Sequence, residues 1–156
     1  MSSLKSAKLQ THIGDHCVPM FVRVINYDGT RYDSDSRGFY KVVTPMYVFK
    51  KVYALSGAIA NLVIPAGATI FIDPRAFIPG ADASNRKMRA SEAFVHSIAM
   101  QRTGTPLKEA ESRWISTFKY RAGKTVKPVQ RFSWRSLQCE AGIHFFVNLA
   151  DAKGWA

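Results

Sequence analysis

Short apolar runs separated by turn residues dominate the chain, and that pattern predicts strands. Residues 18–26 are rich in β-branched and aromatic side chains and read as a strand. Asp28-Gly29 and the run Asp33-Ser34-Asp35-Ser36 then mark a turn and an exposed loop. Strands resume at 39–43, stopped by Pro45, and at 46–55. Within the latter, Lys50 and Lys51 stand side by side, so one lysine must face inward or lie at a sheet edge. Residues 59–64 and 69–72 are apolar runs around Pro65-Ala66-Gly67, the pattern of two strands joined by a tight turn. Asp73-Pro74 breaks the second, and a loop holding Pro79-Gly80 follows.

The C-terminal half is less regular. Residues 89–100 fit both the helical and the strand period, with a strand preferred over 93–98. Residues 107–113 suit one or two helical turns. Residues 114–122 alternate: Trp114, Ser116, Phe118 and Tyr120 share one face, while Ile115, Thr117, Lys119 and Arg121 share the other. Pro128 bounds a short further strand, residues 142–149 form the last one, and 150–155 close the chain as a helical turn. In that last strand, Ile143, Phe145 and Val147 are expected in the core, opposite Gly142, His144, Phe146 and Asn148. The resulting class is α+β, mostly β: a single compact domain of about eight or nine short strands with one or two short helices. Residues 1–17 read as a flexible N-terminal arm and 18–156 as the globular domain.

Length agrees with this reading, since 156 residues, 47% of them hydrophobic, can bury one core without staples. No run of eighteen apolar residues is present, and the N-terminal stretch lacks the pattern of a signal peptide. No membrane association and a cytoplasmic location are therefore expected. Cys17 and Cys139 are too few for a disulfide framework and are expected as reduced thiols.

Charge changes the picture most. Lysine and arginine number 22 against 11 acids, a net of +11, which favours an anionic partner. From Arg113 to Cys139 there are seven basic residues and no acid, interleaved with Trp114, Phe118, Tyr120, Phe132 and Trp134. Cations for phosphate oxygens and flat rings for a base are what a nucleotide requires. Phe118 and Tyr120 fit a core face better than a ligand. Trp134, beside Arg135, fits both roles equally. A second cluster, Arg86, Lys87 and Arg89 followed by Ser91, could cradle a phosphate or form an ordinary surface loop.

Catalytic and metal-binding spacings are absent. His96-Ser97-Ile98 and His144-Phe145-Phe146 do not form paired phosphodiesterase motifs. His12 and His16, beside Asp15 and Cys17, are a poor metal site because Gly14 disfavours the helix that would align them. No Walker loop, dinucleotide fingerprint or nucleophile elbow occurs, and Glu109 with Glu111 lacks the separated environments of an acid–base pair. No cofactor or metal is expected.

Three segments carry a resemblance: Arg86-Lys87-Met88-Arg89-Ala90-Ser91-Glu92-Ala93-Phe94-Val95, then residues 118–126, then Cys139-Glu140-Ala141-Gly142-Ile143-His144-Phe145-Phe146. In that order they resemble an uncharacterised domain of phages and large DNA viruses, also found beside pentapeptide repeats, over roughly residues 46–155. Met88 departs from the cysteine usual there. The resemblance implies a viral accessory protein acting in an infected host cell. Small phage proteins of this kind include inhibitors of nucleotide-signalling immunity, both sponges that sequester a cyclic nucleotide and enzymes that cleave it.

The expected function is sequestration of a small anionic nucleotide, such as a cyclic dinucleotide or a cyclic ADP-ribose relative, by a homo-oligomer. The expected contacts are Arg86, Lys87, Arg89, Ser91, Lys119, Arg121, Trp134, Arg135 and His144. Two alternatives stand behind it: a basic nucleic-acid-binding accessory protein, and a nucleotide-cleaving or nucleotide-modifying enzyme using His144.

Overall fold

The computed structural model describes the backbone of residues 2–4, 22–26 and 31–34, and residues 38–113 and 118–155. In chain order the strands are β1 (Ser2–Leu4), β2 (Val22–Asn26), β3 (Arg31–Ser34), β4 (Phe39–Lys41), β5 (Met46–Ala54), β6 (Ser56–Ile64) and β7 (Thr69–Phe71). Then follow β8 (Met88–Ala90), β9 (Ala93–Met100), β10 (Pro106–Leu107), β11 (Glu109–Glu111), β12 (Lys119–Arg121), β13 (Thr125–Val126) and β14 (Ile143–Phe145). Among the described residues helix is confined to a 3-10 turn at Pro74–Phe77, α1 (Ala83–Arg86) and α2 (Leu149–Gly154). The mostly β class holds. The described residues form fourteen strands, more than the sequence suggests, because many are only two or three residues long.

All pairings among the described residues are antiparallel. One sheet runs β1-β2-β3-β4-β7-β8-β14, and the other runs β10-β9-β6-β5-β11-β12, with β13 also paired to β9. The two share one core. Val48 and Val52 of β5 and Ala58, Ala60, Leu62 and Ile64 of β6 pack with Ile70, Ala90, Ile143 and Phe145 of the first sheet. At the β5–β6 turn Leu55 takes a left-handed conformation, φ 68°. At the edge of β4, Gly38 (φ +95°) passes so close to Ile72 that a Cβ would lie 2.6 Å from its carbonyl oxygen.

The sheets meet at β5. Phe146, just past β14, exchanges backbone hydrogen bonds with Phe49, both 2.8 Å. Four residues along the same strand, Tyr53 pairs instead with Glu111 of β11. Two partners thus leave β5 in different directions, and a fork opens between them. On the opposite face α2 covers Phe49 and Ile59 through Ala152 and Trp155.

Several expectations change. Residues 107–113 hold the end of β10 and the whole of β11 rather than helical turns. Glu109 and Glu111 stand opposite Arg121 and Lys119 in register, and those cross-strand pairs override the helix propensity of the segment. No strand follows Pro128: residues 127–142 are irregular. The last strand ends at Phe145, so its alternation stops there. Phe146 is buried against Ile59 and Ala152, and Val147 is exposed. Asp33 and Ser34 belong to β3, not to a loop. In the proposed arm, Ser2–Leu4 pairs with β2; residues 5–17, with His12, His16 and Cys17, lie outside the described residues, as do Asp28-Gly29 and Trp114.

Candidate functional site: a cationic cavity in the sheet fork

Strand alternation places Lys50 on the face it shares with Val48 and Val52, which are buried in the core. Of the adjacent lysines, Lys50 is the inward one. Its ammonium is enclosed and donates to the main-chain oxygen of His144 at 2.9 Å. It also lies 5.8 Å from the centre of the Tyr120 ring. Burial, with the nearby charge of Lys87, pulls the Lys50 pKa down to about 8. The same burial pushes the Tyr120 hydroxyl above its ordinary value.

Lys50 forms part of the wall of a cavity of about 600 Å³, within the range of small-molecule sites. The other cations around it are Lys51, Lys87 and Arg113; its rings are Tyr53, Phe118, Tyr120 and Trp155, and no carboxylate is among the described lining residues. Lys87 Nζ sits 5.0 Å above the Trp155 ring and 3.8 Å from the exposed thiol of Cys139. Lys51 Nζ donates to the carbonyl of Lys153 at 3.2 Å.

The remaining wall comes from the irregular segment, including Pro128, Val129, Gln130, Cys139 and Ala141. Its conformation is held from below. In register across the first sheet stand Phe39, Phe71, Arg89 and His144, on the face away from the core. Arg89 is fully buried there. Its guanidinium lies 4.8 Å from the ring centres of both Phe71 and Phe132. Nε donates to Leu137 O (3.1 Å), Nη1 to Ser133 O (2.7 Å) and Ala141 O (3.1 Å), and Nη2 to Arg135 O (2.6 Å). Burial lowers its pKa to about 10, with Glu140 opposing, so it stays charged at neutral pH. Gly142 makes this approach feasible, since a Cβ there would lie 2.9 Å from that of Arg89. Arg89 thus fills the space that the missing side chain of Gly142 leaves.

His144 adds a second tie, its Nε2 3.0 Å from Gln138 O. A carbonyl only accepts, so Nε2 carries the proton in the neutral ring. Burial first, then Lys50 and Lys87, lower the His144 pKa to about 4. Since the unfolded value of 6.5 is higher, the unfolded chain takes up the proton first. The stability this ring contributes is full above pH 6.5 and is lost as pH falls towards 4. The loss amounts to about 3 kcal/mol. Urea denaturation at pH 7 and 4.5 checks this: His144→Gln is expected to flatten much of the difference. An unchanged slope in the variant would place the pH sensitivity elsewhere.

Of the residues expected to bind ligand, Lys87 and His144 reach the cavity. The others are engaged elsewhere. Arg86 grips Asp151 of α2 through two bonds, 2.7 and 2.8 Å, and also donates to Ala81 O. Arg89 is interior, and Ser91 Oγ accepts from the Thr69 amide at 3.0 Å. Lys119 and Arg121 pair with Glu111 and Glu109, both outside the cavity wall. Trp134 packs on Phe39 and Phe132, and Arg135 pairs with Glu140 at 3.2 Å. Lys50, Lys51, Arg113, Tyr53 and Trp155 were missed as site residues. The adjacent lysines at 50 and 51 were the signal available for the first two.

Fold and cavity together define a basic, mostly β domain with a cationic, ring-lined cavity. Residues 22–152 match the model of a family of unknown function (DUF5758), and the chain belongs to that family. No curated protein and no solved structure matches it. No helix among the described residues is long and apolar enough to cross a membrane.

Proposed function

We propose that the domain binds and holds a small anionic nucleotide in the fork cavity. The observation that carries this reading is the set of three lysines, Lys50, Lys51 and Lys87, around one cavity with no lining carboxylate among the described residues. Lysines gathered at one cavity repel one another, and a bound polyanion relieves that repulsion. Tyr53, Phe118 and Trp155 supply flat surfaces for a base. A neutral His144, with its proton committed to Gln138, fits retention of the ligand better than acid catalysis. In a phage-type accessory protein such a site would sequester a cyclic dinucleotide or a cyclic ADP-ribose relative in the host cytoplasm, with a homo-oligomer as the expected assembly.

Native mass spectrometry of the full chain with cyclic dinucleotides, ADP-ribose and its cyclic forms tests the reading. A bound mass, released unchanged on denaturation, supports sequestration. A cleaved product makes the protein an enzyme, and no bound mass with any nucleotide overturns the proposal. Lys87→Ala is expected to weaken binding roughly ten-fold, the value of one charge-assisted contact. Arg121→Ala, whose partner is Glu109, is expected to leave binding unchanged. The reverse order would return the site to the sheet surface.

A further inference from the structure

We propose that the amine of Lys50 is a nucleophile that captures the carbonyl of a small anionic aldehyde, such as an open-chain sugar phosphate, as an imine inside the fork cavity. The inference rests on the anion-binding part of the reading above and adds a covalent chemistry that a nucleotide lacking a free carbonyl does not need.

Geometry carries it. Lys50 extends from the core face of β5, flanked in alternation by buried Val48 and Val52, and its Nζ reaches the cavity wall. The acceptor it meets is the main-chain oxygen of His144 at 2.9 Å, not a carboxylate that would hold it as an ammonium ion. Lys87, lining the same cavity and close enough for its charge to act on Lys50, is placed to seat a phosphate beside it. An enclosed lysine next to a second cation is the arrangement that makes lysines reactive towards carbonyls. The lowered pKa of about 8 fits, since a sizeable share of the amine is neutral at mildly alkaline pH.

The step balances without a further reactant. The nitrogen lone pair attacks the aldehyde carbon, and the carbonyl pair moves to oxygen and takes a proton. The resulting carbinolamine expels that oxygen as water while nitrogen keeps the new bond. Amine plus aldehyde gives imine plus one water, with no change of oxidation state.

The test incubates the full chain with ribose 5-phosphate at pH 8 and traps the imine with cyanoborohydride. Intact mass and peptide mapping read the product. Expected is one adduct at Lys50, with the ligand's mass less one oxygen atom. Labelling at Lys50 should be at least ten-fold faster than at exposed Lys108, Lys124 or Lys153, and at least ten-fold slower with uncharged ribose. Its rate should rise with a midpoint near pH 8. Lys50→Met and Lys50→Arg should both lose it, the second while keeping a cation. Labelling of Lys50 no faster than of surface lysines overturns the inference. Nucleotide binding that survives without Lys50 labelling sinks the imine alone; Lys50 labelling in a chain that binds no nucleotide sinks the nucleotide reading alone.

Discussion

Replacing Lys50 with methionine is expected to stabilise the protein at pH 7 and to remove most of its affinity for anions. The residue occupies a core-facing position between Val48 and Val52, where an enclosed charge is costly and an apolar side chain of similar length is not. The fall in its pKa from 10.5 to about 8 sets an upper limit of about 3 kcal/mol on that cost. Losing the bond to the His144 carbonyl returns about 1 kcal/mol of it. A net gain of about 1–2 kcal/mol is left. The sign varies with pH. Below pH 8 Lys50 is protonated in both the folded and the unfolded chain, so the full cost is present. Between pH 8 and 10.5 the unfolded chain binds more protons, so the wild-type protein gains stability and the variant's advantage shrinks. Urea denaturation at pH 7 and pH 10, beside a binding titration, reads both effects. The His144 ring gives a further check by nuclear magnetic resonance. With the Lys50 charge gone its pKa should move up towards 6.5. A variant less stable at pH 7 with anion affinity intact would make Lys50 a structural tie to β14 and remove it from the site.

That a destabilising residue stands in the core face is the kind of local inconsistency that marks function, and it was visible in the sequence as two adjacent lysines in a strand. Alternation around Tyr120 was equally legible: Lys119 and Arg121 point out to Glu111 and Glu109, and Tyr120 points in. What could not be read was which cations pair with acids. Arg86 finds Asp151 far along the chain, and Arg135 finds Glu140, so a run of basic residues overstated the charge available to a ligand. The segment from Leu107 to Glu111 has a helix-forming composition, and pairing with distant strands makes it extended: Leu107 with β9, and Glu109–Glu111 with β12 and β5. Residues 127–142 carry no periodicity because several of their carbonyls meet one side chain, Arg89, and not a neighbouring strand. That side chain lies in β8, some forty residues or more earlier.

Arg89→Met is therefore expected to have the largest effect on the fold, a loss of about 3–5 kcal/mol. The substitution keeps a long side chain between Phe71 and Phe132 but takes donors away from the carbonyls of Ser133, Arg135, Leu137 and Ala141. Those oxygens would have to find water, and the segment that carries Cys139 and Ala141 to the cavity wall would lift from the sheet. Arg89→Lys is expected to fail nearly as badly. An ammonium cannot fan its protons to four carbonyls across a plane, nor stack flat between two rings. Arg89 is not itself a lining residue and meets the wall from behind, through Gly142 and the Ala141 carbonyl, so its influence on binding is one of positioning. In conditions where Arg89→Met still folds, anion affinity should drop together with protection of residues 130–142 from protease, while the ion pairs at Glu109 and Glu111 persist. Gly142→Ala should reproduce the effect more weakly, because its methyl would push on the Arg89 stem from just ahead of β14. Wild-type stability and protease resistance in Arg89→Lys would show that charge alone holds the segment, and would leave the four-carbonyl fan without an energetic role.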